Sequence, residues 1–322
     1  MKKIVAYGEI MMRLTPENLL SLEDANKLDL CYGGTESNVL VALSHLGNET
    51  SYLTKLPDNQ LGEAVKRHLL RHEVGVDQIV YGGSMLGIYF MEQGFGSRPS
   101  SVLYHRKSAA INTLTEEDFD YDEVFEGANW FHVTGISLAI SKASKDVTLR
   151  LCKEAKKRNL TVSFDFNYRS TLWGLDEARE VYKEIMQYVD ICFGNLFDLN
   201  NFMEIDNINQ FLKEYNVKYL IHTKRNIIDA STQELSGHLY SLQGECHTLE
   251  KRFEVLDRIG GGDAFVAGII HILNQDINNT QEALELGIDL GILKHLVVGD
   301  VLGLSGREIR KWLNNRSKDV IR

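Results

Sequence analysis

Residues 253–273 read FEVLDRIGGGDAFVAGIIHIL, the stretch that decides most about this chain. A short apolar segment leads into three glycines, and an apolar run long enough for a helix follows them. Glycine leaves the backbone amides uncovered and permits positive φ, and the unpaired N–H groups at a helix N-terminus attract anions. The sequence therefore predicts a phosphate site at Gly260, Gly261 and Gly262, with the Asp263 carboxylate beside it.

The position of Asp263 has two interpretations. Its carboxylate could accept the proton of a hydroxyl that attacks a phosphoryl group, because phosphoryl transfer needs positioning, charge neutralisation and one base. Alternatively, Asp263 could only cap the helix, since aspartate is a preferred N-cap residue and glycines are common in turns. The local pattern leaves both interpretations open.

Strand-like and helix-like segments alternate along most of the chain. Short apolar runs predict strands at 4–7, 50–53, 130–133, 161–164, 191–193 and 219–222. Amphipathic stretches at 37–46, 61–72 and 145–158 predict helices between them. This alternation is typical of an α/β fold in which helices cover both faces of a mostly parallel central sheet.

Two segments interrupt the alternation, at about residues 12–34 and 84–110. The second contains strand-like runs at 86–92 and 101–107, and the glycines and proline between them favour a hairpin turn. We expect the two segments to form a small β-sheet that acts as a lid over a cleft or as a dimer interface. The sequence has only three prolines and no internal repeat, so a single domain carrying this insertion is expected over residues 1–322.

Composition disfavours several classes of function. The formal net charge of −10 argues against binding to nucleic acid or to anionic membranes. The N-terminal segment indicates a first strand rather than a signal peptide, and no apolar run approaches the roughly 18 residues of a membrane span. Four cysteines without a C-x-x-C pair indicate buried thiols and a reducing, cytoplasmic location: Cys31, Cys152, Cys192 and Cys246.

Two motifs resemble the signatures of the PfkB carbohydrate kinases. The GGGDAF segment resembles the C-terminal signature, whose aspartate is the catalytic base, and GGTESN at 33–38 resembles the N-terminal one. The resemblance covers essentially the whole chain. It implies a ribokinase-like fold, ATP and Mg²⁺ as cofactors, Asp263 as the general base, and a catalytic role for the three glycines in holding phosphoryl charge.

Within that family, the chain resembles the branch that phosphorylates 2-keto-3-deoxygluconate. The DFNYR run at 165–169 is similar to a D-x-N-x-R segment of that branch. The implied substrate contacts are Gly34, Asn38, Tyr89, Tyr104, Arg106, Arg169 and Asp263. Two arginines suit a sugar acid, because a guanidinium group can hold a carboxylate through two hydrogen bonds. The accepting group is expected to be the primary hydroxyl.

The resemblance also implies a nucleotide site. Asn195 begins an N-x-x-D segment that resembles the family's N-x-x-E motif, so Asp198 is expected to act at the metal, directly or through water. Lys224 resembles a position that contacts ATP phosphates, and a solvated lysine is the alternative. Cofactor contacts are thus expected from Asn195, Lys224, Gly260 and Gly262. The family's lid strands often pair between subunits, which implies a homo-oligomer.

Three other functions remain as alternatives to a sugar-acid kinase. A fructokinase or another PfkB sugar kinase would keep the mechanism and change the substrate, and a sugar-binding protein without activity would not need Asp263. An oxidoreductase is disfavoured, because no G-x-G-x-x-G follows the first strand. The chain also lacks the phosphate-binding G-x-x-x-x-G-K-[ST] motif of other nucleotide-dependent enzymes.

Overall fold

The computed structural model describes residues 2–315. The strands are β1 (Lys3–Tyr7), β2 (Met11–Pro16), β3 (Leu28–Gly33), β4 (Thr50–Leu56), β5 (Ile79–Tyr81), β6 (Ile88–Glu92), β7 (Ser101–His105), β8 (Ala128–Thr134), β9 (Thr161–Asp165), β10 (Ile191–Phe193), β11 (Tyr219–Ile227), β12 (Thr232–Ser241), β13 (Gly244–His247) and β14 (Lys251–Glu254). The helices are α1 (Thr35–His45), α2 (Gln60–Arg71), α3 (Tyr121–Phe125), α4 (Gly135–Ala139), α5 (Lys142–Lys157), α6 (Leu175–Met186), α7 (Leu196–Asp198), α8 (Ile208–Glu214), α9 (Gly261–Leu273), α10 (Thr280–His295) and α11 (Gly306–Leu313).

The central sheet confirms the predicted α/β class. Its strands follow the order β13-β12-β11-β10-β9-β8-β1-β4-β5, and β14 pairs with β12. Every pairing from β5 to β11 is parallel. Strands β12, β13 and β14 add an antiparallel edge that the sequence interpretation did not anticipate. Parallel strands bring their carboxyl ends to one edge of the sheet, where ligands bind in folds of this kind.

Helices cover both faces of the sheet because alternate residues of a strand point to opposite sides. On β1, Ile4 and Ala6 belong to a core built with α1, α9 and α10, whereas Val5 and Tyr7 belong to a core built with α5, α6 and α8. Helices α9 and α10 approach closely at a glycine pair, where a Cβ on Gly268 would lie 2.7 Å from the Cα of Gly287. The small residues of α9 therefore permit close helix packing.

The two interrupting segments form a separate small sheet, as predicted. Its order is β3-β2-β6-β7, in which β2 and β6 are parallel and the outer pairs are antiparallel. Strand β6 begins two residues later than the predicted run, and β7 ends two residues earlier. We refer to this sheet as the lid. The prediction of one domain over the whole chain stays a prediction.

The cysteines differ in part from the expectation of four buried thiols. All four are free, and Cys152 and Cys192 are buried, but Cys31 and Cys246 are only half-buried. These two lie on β3 and β13, which are edge strands and leave more of their surface to solvent. Between residues 2 and 315, no helix has the length and apolar character needed to cross a membrane.

Candidate active site

A cleft of about 710 Å³ lies between the lid and the carboxyl edge of the central sheet. Glu9 enters it just after β1, Asp165 at the end of β9, and Arg225 from β11. Nine predicted site residues line this cleft: Gly34, Asn38, Tyr89, Tyr104, Arg106, Arg169, Gly260, Gly262 and Asp263. Gly261, Asn195, Asp198 and Lys224 are not among its lining residues.

Each glycine of the loop before α9 meets a different local requirement. Gly260 is the N-cap of the helix, with φ +81°, and a Cβ there would overlap the carbonyl oxygen of Asp300. Gly261 packs against the imidazole ring of His295, where no side chain would fit. Gly262 has open space on its Cα, so its backbone faces the cleft without obstruction. The loop presents uncovered amides at the N-terminus of a long helix, which favours an anion.

Asp263 is the third residue of α9, so it is not the N-cap and the capping interpretation is wrong. Its Oδ2 accepts a hydrogen bond from the Asn38 side-chain amide at 2.7 Å. Asn38 Oδ1 in turn accepts from the Gly34 backbone N–H at 3.3 Å. Burial raises the pKa of Asp263 to about 7. The hydrogen bond from Asn38 lowers this pKa, and the negative charge of Asp165 raises it further. The carboxyl group can therefore gain or lose a proton near neutral pH.

The lid contributes a pair of tyrosines to the cleft, Tyr89 and Tyr104. The Tyr89 hydroxyl donates to the Asp300 carboxylate, so it is already used within the protein. Its ring lies beside the ring of Tyr104, at a centroid distance of 5.7 Å, and Tyr104 is 44% exposed. Tyr104 thus presents an aromatic face to the cleft, whereas Tyr89 connects the lid to the loop that carries Asp300.

The two predicted carboxylate-binding arginines lie in different electrostatic environments. Arg106 forms an ion pair with Glu9, and both side chains are nearly buried. One oxygen of that pair, Glu9 Oε1, is buried without a hydrogen-bond partner in the described part of the chain. Arg169, by contrast, has no ion-pair partner within residues 2–315 and is exposed in the cleft. It follows a tight turn in which Asn167 has φ +36° and its N–H donates to Asp165.

The N-x-x-D motif, predicted to contact nucleotide and metal, forms a helix cap. Asn195 Oδ1 accepts from the backbone N–H groups of Phe197 and Asp198, and Asp198 Oδ2 accepts from the Asn195 N–H at 2.8 Å. Burial raises the pKa of Asp198. No cluster of three or more His, Cys, Asp or Glu that could hold a metal ion occurs between residues 2 and 315. The predicted roles of both residues toward ATP and metal stay predictions.

Two cleft arginines were missed by the sequence interpretation. Lys224 and Arg225 are neighbours on β11, so their side chains point to opposite faces, and Arg225 is the one that lines the cleft. Arg258 lines it from the loop before α9. Burial lowers the pKa of Arg225, and the nearby Arg258 charge lowers it further. Neither arginine has an ion-pair partner within the described residues, so both are available to an anionic ligand. Strand alternation was the signal that could have separated Arg225 from Lys224.

Comparison with known proteins agrees with this fold. The model of the pfkB family carbohydrate kinases matches residues 1–300. A 2-dehydro-3-deoxygalactonokinase from Haloferax volcanii is 30% identical over 99% of both chains. The crystal structure of a 2-dehydro-3-deoxygluconokinase from Thermotoga maritima is 33% identical, with a TM-score of 0.92 over 98% of this chain and 100% of its own. A putative ribokinase II from E. coli, 18% identical, shares the fold over 98% of this chain and 99% of its own, with a TM-score of 0.83.

The fold, the cleft and these matches define a carbohydrate kinase with a ribokinase-like architecture. The predicted fold family and enzyme class are both confirmed. The chain belongs to the pfkB family of carbohydrate kinases.

Proposed function

We propose that this kinase transfers the γ-phosphoryl group of ATP to the primary hydroxyl of 2-keto-3-deoxygluconate or a close epimer, with Asp263 as the general base. The observation that carries the proposal is a half-buried carboxylate that lines the cleft directly after a glycine loop at a helix N-terminus, with its pKa raised to about 7. A sugar hydroxyl and a phosphoryl group could both approach this carboxylate from the cleft. The substrate class is supported by the unpaired Arg169 and by the sugar-acid names of the similar enzymes.

In this mechanism the sugar oxygen attacks the γ-phosphorus as the bond to the bridging oxygen of ADP breaks. Asp263 accepts the hydroxyl proton late, when the attacking oxygen has begun to bond to phosphorus. The amides at Gly260, Gly261 and Gly262 hold the developing negative charge, because a helix N-terminus stabilises anions. The lid excludes bulk water, which would otherwise compete with the sugar as the acceptor.

The ATP phosphates are assigned to the glycine loop together with Arg225 and Arg258. Both guanidinium groups lie in the same cleft as Gly260 and Gly262 and lack carboxylate partners in the described chain. Charge-assisted hydrogen bonds of arginine to phosphate are stronger than those between neutral groups. Asn195 and Lys224 remain candidates for further nucleotide contacts.

The carboxylates present also suit Mg²⁺. This ion is usually held by one or two carboxylates together with substrate phosphates, rather than by a dedicated protein cage. The negative charge of Asp198 contributes to raising the pKa of Asp165, so the two carboxylates lie near each other, and Asp198 is the predicted ligand, directly or through water. When bound, Mg²⁺ would neutralise charge on the transferred phosphoryl group.

The sugar end of the cleft offers one positive group for a carboxylate and one acceptor for hydroxyls. Of the two arginines predicted to bind the substrate, Arg106 and Arg169, only Arg169 lacks an ion pair within the described residues, so we assign it the sugar carboxylate. Arg106 is already neutralised by Glu9. The partnerless Glu9 Oε1 can accept a hydrogen bond from a sugar hydroxyl, which would satisfy a buried polar atom. Tyr104 and the Gly34 backbone complete the predicted substrate contacts, and Asn38 orients Asp263.

The test of the proposed function is ATP turnover with Mg²⁺ on 2-keto-3-deoxygluconate, 2-keto-3-deoxygalactonate, fructose, ribose and no sugar. Turnover restricted to the two sugar acids is the expected result, and phosphorus NMR of the product should show coupling to a CH₂ group. Turnover with fructose instead would leave the kinase mechanism intact and overturn the role of Arg169. Absence of turnover with every sugar would contradict the proposed substrate class.

Replacing Arg169 by alanine should raise KM for the sugar acid by about 10- to 100-fold, the equivalent of one lost charge-assisted hydrogen-bond pair. KM for ATP serves as the internal control and should stay within about twofold, because the nucleotide is assigned to other residues. Steady-state kinetics of the variant, with each substrate varied in turn, measures both constants. An unchanged KM for the sugar acid would remove Arg169 from the substrate site.

We further propose that two copies of the chain associate through the lid. Strand β7 is exposed along its length, and several large apolar side chains on the lid are exposed: Leu28, Leu30, Val102 and Leu103. Exposed apolar side chains on the two edge strands of a sheet, here β3 and β7, favour pairing with another chain. Replacing Leu103 by glutamate should shift the mass measured by light scattering from dimer or larger to monomer. A monomeric native chain would contradict this proposal.

A further inference from the structure

Lys294 is a fully buried lysine that the proposed mechanism does not use. Its side chain has 0% exposure and lies in the last turn of α10. The Nζ atom donates to the Val297 carbonyl at 3.0 Å. Burial lowers the pKa of Lys294, whereas the carboxylates of Asp257 and Asp300 act in the opposite direction. A buried ammonium group is costly unless opposite charges compensate it, so this residue needs a physical reason.

The reason lies in a charge-balanced cluster of four side chains. Arg13 Nη2 lies 2.8 Å from Asp257 Oδ2, and Arg13 Nη1 lies 2.8 Å from Asp300 Oδ1. With Lys294, the cluster holds two positive and two negative charges, all within a part of the protein from which water is nearly excluded. Removing the ammonium group would leave one uncompensated negative charge at the base of the cleft.

The cluster lies directly behind the glycine loop. The stem of Lys294 lies beside Gly260, since a Cβ added to that glycine would lie 3.3 Å from Lys294 Cε. The carbonyl oxygen of Asp300 also occupies the space in which a Cβ on Gly260 would lie. Asp257 accepts hydrogen bonds from the N–H groups of Ile259 and Gly299, at 3.1 and 3.0 Å. Both loops that shape the N-terminus of α9 are therefore fixed by the cluster.

We propose that Lys294 is a positioning residue for phosphoryl transfer: its buried ammonium group holds the glycine loop in register with Asp263 and adds positive potential behind the loop. This inference rests on the proposed use of the loop for phosphate binding. Lys294 does not touch the cleft, so it acts through Gly260 and through the two carboxylates. The field of an ammonium group this close to the helix N-terminus adds to that of the helix dipole, and both favour phosphoryl charge.

Two substitutions at Lys294 distinguish the effect of losing its charge from the effect of losing its side-chain volume. Lys294→Met keeps an unbranched side chain of similar size and removes the charge, whereas Lys294→Ala removes both and opens a cavity. Either change should lower kcat by about 100-fold, the effect of misplacing reacting groups by about 1 Å, with KM for the sugar nearly unchanged. Methylammonium should restore kcat to Lys294→Ala in a saturable manner, because a small cation can enter the cavity. It should not rescue Lys294→Met, in which the side chain fills that space.

The control variant is Lys251→Met, which removes another lysine that pairs with two carboxylates, Glu285 and Asp289, outside the cleft. Its kcat should stay near the native value, and tetramethylammonium, which is too large for the cavity, should rescue nothing. All rates are taken with whichever sugar the native chain accepts, so failure of the substrate assignment would appear in the native chain itself. Native kcat in Lys294→Met would overturn the proposal, as would a folded Lys294→Ala that methylammonium does not rescue. If Lys294→Ala does not fold by circular dichroism, the kcat of Lys294→Met decides alone.

Discussion

Asp263→Asn should reduce kcat by about 1,000-fold, within the range that a positioned general base contributes. The substitution keeps the size of the side chain and removes the group that accepts the proton. The asparagine oxygen can still accept the hydrogen bond that Asn38 donates at 2.7 Å, so the contact between α1 and α9 is preserved. Binding of ATP and sugar, measured by calorimetry, should therefore change little. Steady-state turnover gives kcat directly.

A pH profile distinguishes loss of the base from a structural defect. In the native chain, burial raises the pKa of Asp263 to about 7, and only the deprotonated form can accept the hydroxyl proton. The rate should thus fall about tenfold per pH unit below that value, and the residual activity of Asp263→Asn should lack this limb. Asp118→Asn is the control, because Asp118 caps a helical turn outside the cleft and pairs with Lys55. Native turnover in Asp263→Asn would show that another group is the base.

Arg13→Met should destabilise the fold by about 3–5 kcal/mol, the usual cost of removing one partner from a buried ion pair. Arg13 is 2% exposed and compensates both Asp257 and Asp300. It also donates from Nε to Thr15 at 2.8 Å, so three acceptor side chains each lose one hydrogen-bond donor. The free energy of unfolding in urea measures the effect.

Arg67→Met provides the comparison. Arg67 pairs with Glu63 on the surface of α2, where the arginine side chain is 76% exposed, and an exposed pair of this kind contributes less than about 1 kcal/mol. Equal losses in the two variants would show that the buried ion pairs of Arg13 stabilise the fold no more than an exposed pair does.

Much of the fold could be predicted because its signals are local. Apolar runs and helical spacing placed the helices α1, α2 and α5 and the parallel strands of the central sheet other than β5 within about three residues of their observed bounds, except that β11 extends five residues beyond its predicted end. The two segments that interrupt the alternation of strands and helices predicted the position of the lid. The antiparallel edge formed by β12, β13 and β14 was missed, because these strands carry mixed polar residues and only their pairing identifies them: β12 pairs with β11, and β13 and β14 both pair with β12.

The sequence by itself determined the glycine loop, the position of Asp263 at the start of a helix, and the family resemblance. These features depend on residues that are neighbours in the sequence, and the conformational preferences of each residue type are known from its chemistry. Only the tertiary structure decided which distant side chains meet. Asn38 reaches Asp263 across 225 residues, Arg106 is neutralised by Glu9, and Lys294 is buried behind Gly260. These contacts depend on how the strands and helices pack. Packing brings together residues that are far apart in the sequence, and no local sequence pattern predicts that they will meet.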